Sequence, residues 1–287
     1  MPITGAARLA GIMGWPIAHS RSPALHGFWL QEHGIDGVYV PLAVAPDRLE
    51  QALRALPALG FRGCNLTIPH KQAALKVMDR VDAVAERIGA MNTVIVAPDG
   101  SLEGSNTDVF GFRENLREQA PDWRASSGPA VVLGAGGSAR SVIAALSAAG
   151  VSEIHLVNRT LDHAEMLARD LAAAETRITV HPWPRRNEVL AGAGILVNTT
   201  SLGMEKEPAL EIDLGALPQT AVVVDIVYVP LETGLLAAAR RRGNPAVDGL
   251  GMLLHQGRPG FTAWFGTAPQ VTAGLRQAIL ATFEGSH

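Results

Sequence analysis

The sequence predicts an α/β protein of two domains, each built on a mostly parallel sheet, and three observations carry that prediction. The first is alternation: short apolar runs trade places with helical stretches along the chain, as parallel strands joined by crossover helices require. The second is a strand–turn–helix signal in mid-chain, where Val131-Val132-Leu133 runs into Gly134-Ala135-Gly136-Gly137-Ser138-Ala139 and then into an Ala-rich helical stretch. The third is a pair of helical stretches within Gly249–Phe283, with no strand left for them to follow. At 287 residues the chain has room for two domains with sizeable cores. Breaks near residues 108 and 248 divide it into a first domain of residues 1–107 and 249–287 and a second of residues 108–248. The terminal helices are expected to pack back on the first domain.

Taken in order, Leu9–Gly14, Val38–Leu42, Gly63–Leu66 and Asn92–Val96 read as the strands of the first domain. Between them, Pro46–Leu59 carries Leu49, Leu53 and Leu56 as a helical stripe, with Pro46 near its start where the missing N–H is harmless. Thr67-Ile68-Pro69 is expected to open another helix running through Val77. Asp108 begins the helix that leads into the second domain, and Ala120–Pro129, rich in Pro, Asp, Ser and Gly, reads as a linker. Strands follow at Val131–Leu133, Ile154–Val157, Gly194–Val197 and Ala221–Ile226. The tail forms two helices broken around Thr267-Ala268-Pro269.

The mid-chain turn is a dinucleotide-binding fingerprint in its required context, so the second domain reads as a Rossmann-type fold. Gly134 allows the tight turn, Gly136 lets a pyrophosphate approach the backbone, and Ala139 lets the helix pack close to the sheet. The free N–H groups and positive dipole end of that helix then hold the phosphate charge. An NAD-binding unit usually places Asp or Glu at the end of the next strand, to accept from the ribose 2′-OH. Here the position holds Asn158-Arg159-Thr160. No carboxylate opposes a 2′-phosphate, and a guanidinium and a hydroxyl are present to bind it, which favours NADP(H). Asp162 is the dissenting residue, close enough in sequence to reach the ribose.

Composition narrows the class. Hydrophobic residues make up 47% and charged residues 18%, which argues for a folded chain rather than a disordered one. With 24 Lys+Arg against 27 Asp+Glu, the net charge of −3 gives no reason to expect nucleic acid or an anionic membrane as partner. Cys64 is the single cysteine, so no internal disulfide can form, as suits a reducing compartment. No apolar run reaches membrane-spanning length, and residues 1–11 lack the charged start and long apolar run of a secretory signal. A cytoplasmic enzyme is expected, monomeric or homodimeric. No His, Cys and Asp spacing suggests a metal site. Cys64 reads as a small buried hydrophobe rather than a nucleophile.

Several further motifs occur in one order along nearly the whole chain. They are Ser20-Arg21-Ser22-Pro23, Asn65-Leu66-Thr67-Ile68-Pro69-His70-Lys71, Gly89-Ala90-Met91-Asn92-Thr93 and Gly104-Ser105-Asn106-Thr107-Asp108. After the glycine turn and Asn158-Arg159-Thr160 come Asn198-Thr199-Thr200-Ser201-Leu202-Gly203-Met204 and Gly249-Leu250-Gly251-Met252-Leu253, then Gln256-Gly257. In these the chain resembles the shikimate dehydrogenase family, whose members include shikimate/quinate dehydrogenases.

The resemblance implies a substrate domain and an NADP-binding domain, with the C-terminal helices returning to the first. It implies hydride transfer between NADPH and the ketone of 3-dehydroshikimate, a step of aromatic amino-acid (chorismate) biosynthesis. It marks Lys71 and Asp108 as the catalytic pair at the reacting oxygen, which needs a proton donor in reduction and a base in the reverse direction. Ser20 and Ser22 match the family's carboxylate-binding serines, and Tyr228 an aromatic near that carboxylate. Asn65, Thr67, Asn92 and Gln256 match residues that bond the ring hydroxyls. Neutral amides and hydroxyls suit a polyol, because a site built to bond each OH rejects analogues lacking it. Thr199, Val227, Gly249 and Met252 fall in motifs implied to line the cofactor, together with Gly134, Ala135, Gly136, Gly137, Ser138, Ala139, Asn158, Arg159 and Thr160. The chain departs from the family pattern at Trp15, Gly27 and His163, the last where many members carry a second Arg for the 2′-phosphate. Two alternatives stand beside this reading: a quinate/shikimate dehydrogenase using NAD(H), and a non-catalytic ligand-sensing paralogue.

Overall fold

A computed structural model describes residues 3–173 and 175–284 of the chain. The chain divides into two compact units, Met1–Thr107 with Leu253–His287, and Asp108–Met252.

The first unit contains β1 (Arg8–Gly14), α1 (Ser22–Glu32), β2 (Gly37–Ala43), α2 (Leu49–Ala55), β3 (Phe61–Leu66), β4 (Arg80–Val81), α3 (Ala83–Ile88), β5 (Thr93–Val96) and β6 (Leu102–Ser105). Its sheet has the order β2-β1-β3-β5-β6-β4. β1 pairs in parallel with both β2 and β3, so the chain leaves β1 outward to β2 and returns on the other side at β3. That reversal makes the carboxyl ends of β1 and β3 a topological switch point, where open α/β sheets bind ligands. β5 is antiparallel to β3 and β6, which the expected mostly parallel sheet did not specify. The reversal has a consequence: Asn65↔Thr93 and Thr93↔Ser105 are in register, so the start of β5 and the end of β6 meet the carboxyl end of β3.

The second unit contains α4 (Asp108–Gln119), β7 (Ala130–Leu133), α5 (Gly137–Ala148), β8 (Glu153–Asn158), α6 (Leu161–Asp170), β9 (Arg177–Pro182), β10 (Ile195–Asn198), β11 (Val222–Asp225), α7 (Gly234–Arg242) and β12 (Ala246–Val247). These strands pair in parallel throughout, in the order β12-β11-β10-β7-β8-β9. Numbered from β7, that is the 3-2-1-4-5-6 order of a Rossmann fold read from the other edge. The strands are buried on both faces. Ala130, Val132, Ile195, Val197, Val222 and Val224 pack with α4, α5 and α6, whereas Val131, Leu133, Leu196 and Val223 pack with α7. Period-two side chains therefore feed two cores, which is why these strands read as continuous apolar runs.

The tail forms α8 (Leu250–Phe265) and α9 (Ala273–Glu284). Within the first unit, Trp264 Nε1 donates to the Val94 carbonyl at 3.0 Å and Trp29 Nε1 to that of Gln270 at 3.0 Å. These bonds and the Trp29–Phe261 ring contact fasten the tail to α1 and the sheet.

Three expected elements are corrected. The helix expected from Thr67 through Val77 is a turn followed by a short 3-10 segment, Ala73–Val77. Its backbone and side chains are committed elsewhere: the Thr67 N–H donates to Met13, the Lys71 carbonyl accepts from Met91, and His70 Nε2 bonds the Val44 carbonyl at 2.8 Å. Tertiary partners thus take groups a continuous helix would need, and one i→i−4 bond, from the Ala74 N–H to the His70 carbonyl, remains. The helix expected over Pro46–Leu59 is a 3-10 turn, Pro46–Arg48, followed by α2 alone. Ala120–Pro129 is no detached linker, since it carries the 3-10 turn Ala125–Ser127 and packs Ala120 and Trp123 on the core of the second unit.

Candidate active site

In the first unit, three of the expected substrate residues meet at the carboxyl end of the sheet. Asn65, on β3, is 3% exposed and donates both amide hydrogens, to the Asn92 carbonyl at 3.0 Å and to Thr93 Oγ1 at 3.0 Å. Asn92, just before β5, accepts at Oδ1 from the Thr107 N–H at 2.8 Å and donates from Nδ2 to Gln256 Oε1 at 3.2 Å. Gln256, on α8, donates in turn to the Leu253 carbonyl at 3.1 Å. Thr93 and Thr107 Oγ1 lie 3.1 Å apart and both bond Asn92 Oδ1. The cluster is a set of neutral amides and hydroxyls, pre-oriented by mutual bonds and buried where each bond counts for more than in water.

Around it lie the loops at the switch point. Thr67 follows β3 with its N–H on Met13, and Lys71, half-buried, is tied to the cluster through its carbonyl on Met91 at 2.9 Å. Ser20 and Ser22 sit between β1 and the first turn of α1. The Ser22 N–H donates to Ser20 Oγ at 3.3 Å, and Ser22 is buried. Asp108 opens α4, the first helix of the second unit, and is buried. Cys64 is fully buried beside Asn65, and burial pushes its thiol up, away from the reactive thiolate.

In the second unit the glycine turn lies between β7 and β10, the strands where the sheet order reverses. Gly134 has φ +100°, donates to Val157 at 2.8 Å, and leaves no room for a side chain: a Cβ there would stand 2.8 Å from Thr199 Oγ1 and 2.9 Å from Thr200 Cγ2. Thr199 is itself fixed, with its hydroxyl on the Leu133 carbonyl at 2.6 Å. Gly136 differs. It is exposed at the N-cap of α5, φ −90° and ψ −170°, and a Cβ there would meet nothing within 4 Å. No side chain caps α5 and no acidic residue occupies its first turn, while Ala139 is fully buried against the sheet. Ala135, Gly137 and Ser138 complete the turn, partly exposed. An open helix N-terminus with uncapped N–H groups fits a pyrophosphate.

At the end of β8, Asn158 Nδ2 bonds the Thr160 carbonyl at 2.7 Å, leaving Arg159 and Thr160 exposed at the start of α6. Among the described residues Arg159 has no acidic partner. Val227 and Gly249 pack against each other, since a Cβ on Gly249 would stand 2.8 Å from the Val227 carbonyl oxygen. Met252 is 8% exposed and belongs to the core of the unit. Tyr228, half-buried, follows β11 in the second unit, whereas Ser20 and Ser22 belong to the first.

Several buried polar residues bonded to the expected ones carry no role in the sequence. Thr93 and Thr107 fall inside the family motifs but are not residues the resemblance marks. Tyr39 had no motif, yet its hydroxyl donates to Asn65 Oδ1 at 2.7 Å. Asp225 could have been noticed as a carboxylate closing an otherwise apolar strand. It is fully buried and accepts from Asn198 Nδ2 at 2.9 Å, Val227 N–H at 3.1 Å and Thr233 Oγ1 at 2.7 Å. Burial raises its pKa to about 6 against the pull of those three donors.

The comparisons with known proteins follow the same division. Residues 12–94 match the model of the shikimate dehydrogenase substrate binding domain, and residues 116–227 that of shikimate / quinate 5-dehydrogenase. The chain is 61% identical to the shikimate dehydrogenase (NADP(+)) of Rhodospirillum rubrum, over 97% of this chain and 99% of the relative. Among solved structures it resembles quinate dehydrogenase from Corynebacterium glutamicum in complex with NAD, at 33% identity and a TM-score of 0.89, over 96% of this chain and 99% of that one. It also resembles shikimate 5-dehydrogenase from Thermus thermophilus in complex with NADP(H) and shikimate, at 37% identity and a TM-score of 0.83, over 96% and 99% of the two chains.

Proposed function

The chain belongs to the shikimate dehydrogenase family, and from that premise we propose how its residues divide the work. The enzyme is an oxidoreductase that uses NADP(H) to interconvert 3-dehydroshikimate and shikimate in chorismate biosynthesis. The first unit binds the substrate. Asn65, Asn92, Thr67 and Gln256 bond the ring hydroxyls, Ser20 and Ser22 the carboxylate, and Tyr228 adds an aromatic surface. The observation that carries this is the buried Asn65–Asn92–Gln256 cluster at the switch point, a neutral polar array suited to a polyol.

The second unit holds the cofactor: the backbone from Gly134 through Ala139 takes the pyrophosphate, Asn158, Arg159 and Thr160 the 2′-phosphate end, and Thr199, Val227, Gly249 and Met252 the nicotinamide end. When bound, NADP(H) supplies or accepts the hydride. Negative charge develops on the substrate oxygen during reduction. Lys71 delivers a proton to that oxygen, and in the reverse direction takes it back. Asp108 orients the Lys71 ammonium and bonds the same hydroxyl, so that the proton moves along a preset path.

Absorbance at 340 nm with shikimate or quinate against NADP or NAD tests the whole reading. Shikimate with NADP should be the fastest of the four pairs by at least about tenfold. Identity of 61% to an NADP-dependent shikimate dehydrogenase, against 33% to a quinate dehydrogenase, favours shikimate over quinate, and turnover in any pair dismisses the ligand-sensing paralogue. Quinate with NAD as the best pair would overturn the proposal. The reading takes a small-molecule substrate, no nucleic acid and a cytoplasmic setting. No described helix is long and apolar enough to cross a membrane. Light scattering on the purified chain decides between monomer and homodimer.

A further inference from the structure

The segment between β12 and α8 is held by side chains of α4. Asn115 and Gln119 lie one turn apart on that helix, and Asn115 is 1% exposed. Asn115 Nδ2 donates to the Asp248 carbonyl at 2.8 Å. Gln119 Nε2 donates to Asn115 Oδ1 at 2.6 Å, and Gln119 Oε1 accepts from the Asp248 N–H at 3.3 Å. Both backbone polar groups of Asp248, which is itself buried, are therefore bonded to α4. The Asp248 carboxylate accepts from the Leu250 N–H at 3.0 Å, which sets the first turn of α8.

Two glycines of this segment leave no room for a side chain. A Cβ on Gly251 would overlap Asn115 Oδ1 and stand 2.8 Å from its Cγ and 3.1 Å from Gln119 Nε2. A Cβ on Gly249 would stand 2.8 Å from the Val227 carbonyl oxygen. The Asn115 amide thus presses on Gly251 while the backbone after β11 presses on Gly249, and in a close-packed interior contact on two sides fixes where the segment lies. Asn115 sets that position twice, by the bond from its nitrogen to Asp248 and by the bulk of its oxygen against Gly251. Seven residues, about two turns, separate Asp108 from Asn115, so both lie on one face of α4 to within about 20°. The helix face that opens with Asp108 holds, two turns on, the segment that contains Gly249 and Met252.

We propose that Asn115 is a positioning residue for hydride transfer, acting through Asp248 and Gly251 to fix the Gly249–Met252 wall of the nicotinamide site relative to Asp108. The proposal rests on the reading of Gly249 and Met252 as the nicotinamide end of the cofactor site, and the test separates the two. Calorimetry measures the affinities for NADPH and for 2′-phospho-ADP-ribose, which lacks the nicotinamide, and steady-state assays give kcat. The proteins are wild type, Asn115→Ala, Gly251→Ala, the double variant and Met252→Ala. Asn115→Ala releases the segment, and Gly251→Ala reaches the same contact from the other side by pushing the segment off α4. Each should lower NADPH affinity about fivefold or more and kcat about tenfold or more, since a shift of about 1 Å at a reacting centre is enough for such losses. Affinity for 2′-phospho-ADP-ribose should stay within about twofold of wild type. In the double variant the added methyl enters the space the amide left, so its losses should match those of Asn115→Ala within about twofold. Losses that multiply in the double variant overturn the Asn115–Gly251 contact as their source. Equal losses with both ligands overturn the positioning role in favour of a merely structural one. Met252→Ala should also weaken NADPH and spare 2′-phospho-ADP-ribose. If it binds NADPH as wild type does, the nicotinamide reading falls and the proposal with it. A selective loss in Met252→Ala with none in Asn115→Ala overturns the proposal and leaves that reading standing.

Discussion

The two glycines of the nucleotide turn should fail in opposite ways when given a methyl group. At Gly134 the φ of +100° is one that L-residues rarely adopt, a strain of about 1–3 kcal/mol. The new Cβ would also stand 2.8 Å from Thr199 Oγ1, whose own bond to Leu133 at 2.6 Å resists moving. Overpacking of that kind costs about 1–3 kcal/mol more. Gly134→Ala should therefore destabilise the second unit by about 2–6 kcal/mol, at roughly 2–4 °C of midpoint per kcal/mol. At Gly136 the backbone is extended and the added methyl meets nothing within 4 Å, so the apo fold should hold or gain up to about 1 kcal/mol from a stiffer unfolded chain. The methyl stands on the exposed turn, where a pyrophosphate would approach α5. NADPH affinity should fall at least about tenfold, 1.4 kcal/mol or more of binding. Differential scanning fluorimetry of the apo proteins and NADPH fluorescence titration read the two quantities independently. A Gly136→Ala protein that binds NADPH as tightly as wild type, or that melts as early as Gly134→Ala, would refute the reasoning.

Three further outcomes are expected. Lys71→Ala and Asp108→Ala should each lower kcat by about 10²–10⁴ in steady-state assays with NADPH affinity nearly unchanged, and near-wild-type turnover by the Lys71 variant would remove it from the chemistry. Arg159→Ala should erase most of the preference of kcat/KM for NADP over NAD, by weakening NADP at least about tenfold and sparing NAD; equal losses with both cofactors would place Arg159 elsewhere. Asp225, with its pKa raised to about 6 in the folded chain against an ordinary carboxyl of about 3.9, holds its proton more tightly folded than unfolded. Its contribution of about 3 kcal/mol is therefore fully present below pH ~4 and lost as pH rises through ~6. Chemical unfolding of wild type and Asp225→Asn across that window should show the difference in stability shifting toward the variant as pH rises, and parallel profiles would contradict the raised pKa.

Local chemistry was enough for much of this protein. The glycine turn, the buried strands around it and the helical stretches at the end of the chain are short-range patterns, in which propensity and apolar period point to one structure. The motifs from Ser20 to Gln256 likewise carried the family and its candidate residues. What no local pattern held was direction and partnership. The antiparallel turn of β5, which brings Asn92 to the end of β3, depends on pairing between segments far apart in sequence. The helix expected after Thr67 yields to bonds from His70 to Val44 and from Met91 to Lys71, partners a sequence window does not contain. Tyr39 reads like any strand aromatic, and only the sheet order, with Ala10 and Gly63 in line with it, lets its hydroxyl reach Asn65 two strands away; Asp225 reads like any strand end, and only burial gives it three donors. Residue identity set which groups were available. Only long-range packing decided which of them share a buried space, and there the lack of competing water makes each hydrogen bond selective.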